Sequence, residues 1–160
     1  MKLLKHLHNK NLGITLLLVA ILLSSACGNK LIRGASPMVR MAELSHSDNT
    51  ISLQISIRNL NGVDLDVLGA DIAVVAEQGQ LFSYRGPVNI NIVANGTESW
   101  SVDVEESEST RQLLDQLEKG EVKSLPYSLK GSVTSREDGL LRFEYEGYIY
   151  PLPGRPGHFR

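Results

Sequence analysis

The acidic side chains near residue 66 are the first candidates for chemistry in this sequence. Asp64 and Asp66 form an Asp-x-Asp pair beside a predicted loop, and Asp71 lies close along the chain. Carboxylate oxygens of this kind can bind Ca²⁺. No loop of the EF-hand pattern surrounds the pair, so a solvated strand face is the favoured interpretation and no calcium site is predicted.

The histidines show no metal-ligand pattern either. They are His6, His8, His46 and His158. None has a partner at the spacing of a metal site, so we expect His46 to be exposed in a turn and His158 to be exposed near the C-terminus. The sequence therefore predicts no metal and no cofactor.

Motifs for nucleophilic catalysis and phosphate binding are missing from the sequence. No Gly-x-Ser-x-Gly elbow occurs, and the glycines are too isolated to form a phosphate-binding loop. Glu105, Glu106 and Glu108 lead into a predicted helix, where they favour its N-terminal end rather than forming an acid–base pair. We expect a protein that is not an enzyme.

Cys27 is the single cysteine, and it follows a pattern typical of export. Three lysines precede an apolar run from Leu12 to Leu23, which suits a signal peptide better than a membrane span of about 20 residues. The next residues, Ser24-Ser25-Ala26-Cys27-Gly28, resemble a lipobox, with Ser24 where leucine is usual. The resemblance implies cleavage before Cys27 and attachment of acyl chains such as palmitate to it. The alternatives are an ordinary cleaved signal or an uncleaved anchor.

Lipid on Cys27 would place the protein on a bacterial membrane. Gly28, where aspartate would retain a lipoprotein in the inner membrane, favours the outer membrane facing the periplasm. Cleavage leaves 134 of the 160 residues, with 13 basic and 18 acidic side chains and a formal charge near −5. This acidity argues against nucleic acid as a partner.

The chain beyond Pro37 alternates with period two, which is typical of strands. Predicted strands, in order, are Met38–Leu44, Ile51–Arg58, Leu65–Ala76 with a bulge at Gly69, Gln80–Tyr84 ended by Gly86-Pro87, Pro126–Ser135 and Leu140–Tyr150. Turns are expected at 46–49, at Gln78-Gly79 and at 136–139.

A hairpin is predicted over Val88–Glu105, with Asn95-Gly96 as its type I′ turn. A helix is predicted over Thr110–Lys119. Ser109 and Gln112 would form its capping box, and Gly120 would follow its end. Its apolar stripe is Leu113, Leu114 and Leu117.

Two features near the C-terminus are candidates for binding. Arg142, Glu144 and Glu146 share one face of the last predicted strand, which is a binding face or, more simply, a solvated one. The tail Pro151–Arg160 is predicted to be irregular. The nearby aromatic residues Tyr148, Tyr150 and Phe159 form either an interaction patch or part of the packing, and packing is favoured.

These elements predict an all-β fold: a β-sandwich of seven or eight strands with one short helix. The predicted organisation is a lipoprotein signal peptide at 1–26, a lipidated tether at 27–36, the sandwich domain at 37–150 and a Pro/Gly-rich tail at 151–160.

The region Pro37–Ile149 resembles the late embryogenesis abundant type 2 family, also called the water stress and hypersensitive response domain. The motifs that carry the resemblance are Asn59-Leu60-Asn61 after an alternating strand, Leu65-Asp66-Val67-Leu68, Pro87 to Gly96, Trp100 to Val104, Tyr127-x-Leu129-x-Gly131-x-Val133, and Phe143 to Gly147. Leu60 stands where the family usually has proline. The resemblance implies a fibronectin- or immunoglobulin-like sandwich and a role in tolerance of desiccation.

The first hypothesis is therefore a non-enzymatic, lipid-anchored envelope protein that acts during water stress. The alternatives are an interaction module for an envelope protein, through an edge strand or the tail, and a carrier of an apolar ligand, which would need a cavity of about 300 Å³ or more.

Overall fold

Eight strands and one helix form the part of the chain that the computed structural model describes, residues 33–76 and 79–160. The predicted signal peptide, Cys27 and most of the tether lie outside these residues. The elements are β1 Met38–Ser47, β2 Thr50–Arg58, β3 Leu65–Ala76, β4 Gly79–Ile92, β5 Thr97–Glu105, α1 Glu108–Glu118, β6 Leu125–Ser135, β7 Gly139–Ile149 and β8 His158–Phe159.

The strands form two antiparallel four-stranded sheets. Their orders are β5-β2-β1-β8 and β4-β3-β6-β7. The apolar residues that alternate along each strand face the space between the sheets, and β2 shows this most clearly because Ile51, Leu53, Ile55 and Ile57 are all fully buried. The predicted β-sandwich is therefore confirmed, with eight strands in the described residues.

The turn between β1 and β2 has type I′ geometry. Ser47 pairs with Thr50, and the two residues between them, Asp48 and Asn49, have φ values of 50° and 64°. A two-residue loop with both φ values positive matches the twist of the flanking strands. The turn predicted at 46–49 is confirmed, although β1 extends further into it than expected.

β3 has the predicted bounds and the predicted irregularity at Gly69. The register with both neighbouring strands shifts between Val67 and Gly69. A side chain at position 69 would place its Cβ only 3.0 Å from the carbonyl oxygen of Gly86, so the backbone of β4 would have to shift to admit one.

The expectation that Gly86-Pro87 ends the strand is wrong, because β4 continues through both residues. Both residues remain paired with β3, opposite Ala70 and Gly69. β4 is the outer strand of its sheet, where a proline that lacks an N–H costs no ladder hydrogen bond. The turn expected at Gln78-Gly79 falls partly outside the described residues.

The hairpin predicted over Val88–Glu105 is wrong. β4 pairs with β3 in one sheet, while β5 pairs with β2 in the other, so the connection crosses between the sheets. The turn is also not type I′: Gly96 N–H donates to the Val93 carbonyl (2.8 Å) and only Asn95 has a positive φ, at 57°. Alternation identified both strands but could not identify their partners.

The helix begins two residues earlier than predicted. Ser107, not Ser109, is the N-cap, and its Oγ accepts a hydrogen bond from Thr110 N–H at 3.1 Å. Gly120 follows the C-cap with a φ of 75°, as expected for a glycine that ends a helix. The predicted apolar stripe is buried, and the Thr110 hydroxyl donates to the Leu81 carbonyl of β4 (2.9 Å), which fixes the helix on the second sheet.

The C-terminal tail is irregular as predicted over most of its length, but its end forms a short strand. His158 and Phe159 form β8, which pairs with Ser45 and Leu44 of β1. Phe159 is fully buried. The sequence did not predict β8 because a two-residue strand that follows prolines and glycines has too little pattern to recognise.

Two buried asparagines hold three loops together. Asn59 Nδ2 donates to the carbonyls of Val63 (2.8 Å) and Ile92 (3.1 Å), and its Oδ1 accepts from Asn61 N–H (2.9 Å). Asn61 Oδ1 accepts from Ala35 N–H at 2.8 Å, so the end of the predicted tether is joined to the same network. Asn59 and Asn61 are therefore fully buried and form a polar junction between the loops, whereas Leu60 between them is exposed.

Candidate functional site

A surface groove of about 880 Å³ lies where β3, β6 and β7 meet at one end of the second sheet. Its walls include Val75, Tyr127, Tyr145, Glu146, Tyr148 and Tyr150. Aromatic rings with one polar atom suit a binding surface, because they offer a large contact area and a hydrogen-bonding group.

The tyrosines of this aromatic groove differ in exposure. Tyr148 and Tyr150 are exposed, by 58% and 47%, and their ring centroids are 6.3 Å apart. Tyr127 is buried, with its ring centroid 6.2 Å from that of Tyr145. Burial, with a smaller contribution from the charge of Tyr145, raises the pKa of Tyr127 to about 12. A Cβ at Gly147 would come within 3.1 Å of both of these rings, so the groove floor depends on a glycine.

The prediction of packing for the aromatic residues near the C-terminus is confirmed for one residue only. Phe159 belongs to the core, whereas Tyr148 and Tyr150 lie on the surface. The outward face of β7, which also carries Tyr148, is solvated as expected: Arg142, Glu144 and Glu146 are exposed, and Glu144 pairs with Lys130 at 2.7 Å. That ion pair raises the pKa of Lys130 and is of the exposed kind that contributes little to stability.

The three aspartates weighed as calcium ligands do not converge. Asp64 accepts a hydrogen bond from Ala94 N–H (2.9 Å), and Asp66 accepts one from Asn91 Nδ2 (2.6 Å). Asp71 pairs with Arg85 at 2.5 Å. Each of the three carboxylates thus has its own hydrogen-bonding or charged partner.

The prediction of lone, exposed histidines is wrong. The His46 side chain is only 15% exposed, with Nδ1 lying 3.2 Å from Glu106 Oε1 and Nε2 lying 3.7 Å from Glu118 Oε2. His158 Nδ1 lies 2.8 Å from Glu43 Oε1, and this contact lowers the pKa of Glu43. The sequence could not show these clusters because their members are 60 to 115 positions apart.

The glutamates before the helix take separate roles. Glu108 lies in the first turn of α1, where a negative charge is favoured, as predicted. Glu105 is exposed at the end of β5, but the Glu106 side chain turns inward toward His46. Among the residues described, no helix has the length and apolar character to cross a membrane.

No protein-family model and no curated protein matches this chain. Solved structures do. A protein from Archaeoglobus fulgidus is 12% identical, with 74% of this chain and 98% of that one covered and a TM-score of 0.45. A protein from Arabidopsis thaliana is 12% identical, with coverage of 82% and 93% and a TM-score of 0.48.

A third solved structure belongs to a protein described provisionally as late embryogenesis abundant. It is 14% identical, with 92% of this chain and 91% of that one covered and a TM-score of 0.44. At these identities and TM-scores, no family, ligand or activity follows from the similarity for this chain.

Proposed function

We propose that this protein is a non-enzymatic, lipid-anchored component of a bacterial cell envelope, whose domain, similar to late embryogenesis abundant type 2 proteins, acts in tolerance of water loss. The anchor is supported by the apolar run, the small residues and the single cysteine at position 27. The family resemblance supports the stress role and a sandwich of the fibronectin or immunoglobulin kind.

The length of the tether sets how far the domain could reach. Eleven positions separate Cys27 from Met38, where β1 begins. A fully extended chain of that length spans at most about 40 Å. Acyl chains on Cys27 would therefore hold the sandwich close to a membrane surface. Gly28 favours the outer membrane and a periplasmic position.

The exposed pair Tyr148 and Tyr150 is the observation that most favours action by binding. Exposed aromatic rings next to a groove are typical of recognition surfaces. We infer that the domain acts through contacts at this surface, without bond making.

The alternative of an interaction module is favoured by the position of β7. This strand is the outer strand of its sheet, and the aromatic groove lies at one end of it. An extended segment of an envelope protein could pair with the free edge of β7 and place its side chains against the tyrosines. A carrier of an apolar ligand is less favoured, because the space between the sheets is filled by the buried side chains of the described strands.

The anchor is tested by comparing the wild-type protein with a Cys27→Ser variant. Intact mass and flotation with membranes are measured for both. We expect acyl mass and flotation for wild type only. If both proteins lack lipid and partition alike, the lipoprotein proposal is wrong.

The stress role is tested by survival of drying in cells that lack the gene. Complementation with wild type should restore survival, and complementation with Cys27→Ser should restore less. A Tyr148→Ala/Tyr150→Ala variant tests the groove, with Glu144→Ala on the solvated face as its matched control. Normal survival of cells without the gene would contradict the stress role while leaving the anchor intact.

A further inference from the structure

Three acidic or imidazole side chains converge where the end of β1 meets the second half of α1. One ligand atom from each of His46, Asp115 and Glu118 lies within 4.8 Å of the others. Asp115 and Glu118 are three residues apart on the helix, so their carboxylates project from the same face. We call these three residues the His46 cluster.

A fourth side chain stands behind the cluster. Glu106 lies on the opposite side of the imidazole, with Oε1 3.2 Å from His46 Nδ1, and its side chain is only 3% exposed. Within the described part of the chain, this buried oxygen has no hydrogen bond. A buried carboxylate oxygen is costly unless a donor satisfies it. A His46 ring that carries its proton on Nδ1 and turns slightly would supply that donor.

We propose that the His46 cluster binds a divalent transition-metal ion of the Zn²⁺ type. His46 Nε2 and one oxygen each from Asp115 and Glu118 are the ligands, and Glu106 fixes the ring by accepting the Nδ1 proton. A metal-bound histidine commonly donates its other N–H to a carboxylate, which sets the tautomer and makes the ligating nitrogen more basic. One nitrogen with two carboxylate oxygens is a ligand set that Zn²⁺ accepts, with water in the fourth position.

The distances require only a small closure of the cluster. Zinc bonds of about 2.0–2.2 Å in a tetrahedron separate the ligand atoms by about 3.4 Å. The Nε2–Oε2 distance of 3.7 Å is close to that value. The Asp115 carboxylate has to approach by a side-chain rotation, and it would then leave Lys119, whose Nζ lies 3.7 Å from its Oδ2.

The site would join three segments of the sandwich. Glu118 Oε1 already accepts a hydrogen bond from Gly157 N–H (3.0 Å), and the Gly157 carbonyl accepts one from His46 N–H (3.0 Å). A metal ion on His46 and Glu118 would therefore brace the C-terminal tail against both β1 and α1. The ion would be structural, and this inference does not depend on the anchor or the stress role.

The test is a Zn²⁺ titration of the full protein, free of any affinity tag, after dialysis against EDTA in detergent. Zinc is titrated in competition with a chromogenic chelator, and thermal unfolding is followed with and without zinc. We expect one ion per chain, an increase in Tm on binding, and a loss of affinity of at least tenfold in His46→Gln and in Glu118→Gln. Glu106→Gln, which removes only the carboxylate behind the ring, should weaken binding about tenfold.

Matched controls separate this site from adventitious binding. Glu108→Gln changes a glutamate in the first turn of the same helix, and His158→Gln changes the other histidine of the described domain; both should bind zinc as wild type does. If His46→Gln destabilises the fold, Asp115→Asn tests the site instead, because it changes a side chain at the surface and leaves the protein folded. Failure to bind zinc, or equal binding by wild type, Glu118→Gln and Asp115→Asn, would overturn the proposal.

Discussion

The ring of Phe159, the penultimate residue, lies 5.8 Å from the imidazole of His46 near the end of the first strand. Phe159 is paired with Leu44 in the same sheet, and both side chains are fully buried. The two ends of the domain are thus joined through the core, so the tail contributes to folding.

We expect Phe159→Ala to lower the free energy of unfolding by about 3–5 kcal/mol, because it empties a fully buried aromatic site. Urea denaturation followed by far-UV circular dichroism measures this. Tyr150→Ala, which removes an exposed aromatic ring nine residues earlier, should change stability by less than about 0.5 kcal/mol. Equal effects of the two substitutions would show that the tail does not hold the core.

Removing the buried junction of Asn59 and Asn61 should also cause a large loss of folding stability. In Asn59→Ala, the carbonyls of Val63 and Ile92 lose their donor, and Asn61 N–H loses its acceptor; the Ile92 and Asn61 bonds are buried and the Val63 bond is partly buried. Buried groups left without partners cost about 1–3 kcal/mol each. We expect a total loss of about 2–4 kcal/mol, because the loops can relax in part.

The matched control is Asn91→Ala, which removes an exposed amide bonded to Asp66. Its effect on the urea midpoint should be small. Faster hydrogen exchange at the amides of Asn61 and Ala35 in Asn59→Ala would locate the damage at this junction. Unchanged exchange there would mean that the amide network is not what holds the loops.

Local patterns in the sequence predicted the strands but not their arrangement. The alternation of Ile51, Leu53, Ile55 and Ile57 follows from one face being buried, so β2 could be recognised without its partners. Nothing local shows that β5 joins β2 rather than β4, because the hydrogen-bonding groups of a strand are the same whichever neighbour they meet.

The candidate sites show the same limit. The sequence favoured Ser109 as the N-cap because Gln112 completes a capping box. The helix instead begins after Ser107, where the Thr110 hydroxyl bonds to the Leu81 carbonyl of β4. The His46 cluster joins residues on β1 and α1 that are about 70 positions apart, and no spacing rule connects them. Tertiary contacts, rather than propensity, decide both features.

A side chain at Gly131 in β6 should destabilise the domain because the neighbouring backbone lies too close. A Cβ at this position would overlap the carbonyl oxygen of Asp71 and lie 3.0 Å from Phe143 Cζ. Since the obstacle is the backbone of the neighbouring strand β3, it cannot move aside by a side-chain rotation. Overpacking of a core costs about 1–3 kcal/mol, and occasionally more. We expect Gly131→Ala to destabilise the domain by at least about 2 kcal/mol. Ser132→Ala, one residue on, is the control for thermal unfolding and should have little effect.

The buried Tyr127 phenol predicts a loss of stability at high pH. Its pKa is raised to about 12, whereas an unfolded tyrosine ionises near 10. A raised pKa means that the folded state holds the proton more tightly, so this stabilisation is complete below about pH 10 and is lost as the pH rises toward 12. Ionisation followed by absorbance near 295 nm should show one tyrosine that titrates later than the others.

The raised pKa of Tyr127 can also be measured through its effect on the free energy of unfolding. Between pH 10 and pH 12, the wild-type free energy of unfolding should fall further than that of Tyr127→Phe, by about 2 kcal/mol. Lysines, including Lys130 with its raised pKa, lose their charge over the same range in both proteins, so their effects cancel in the comparison. Tyr148→Phe, which changes an exposed phenol, should follow the wild-type curve. Parallel curves for wild type and Tyr127→Phe would mean that the phenol ionises freely in the folded protein, and its burial against Tyr145 at the groove floor would then be wrong.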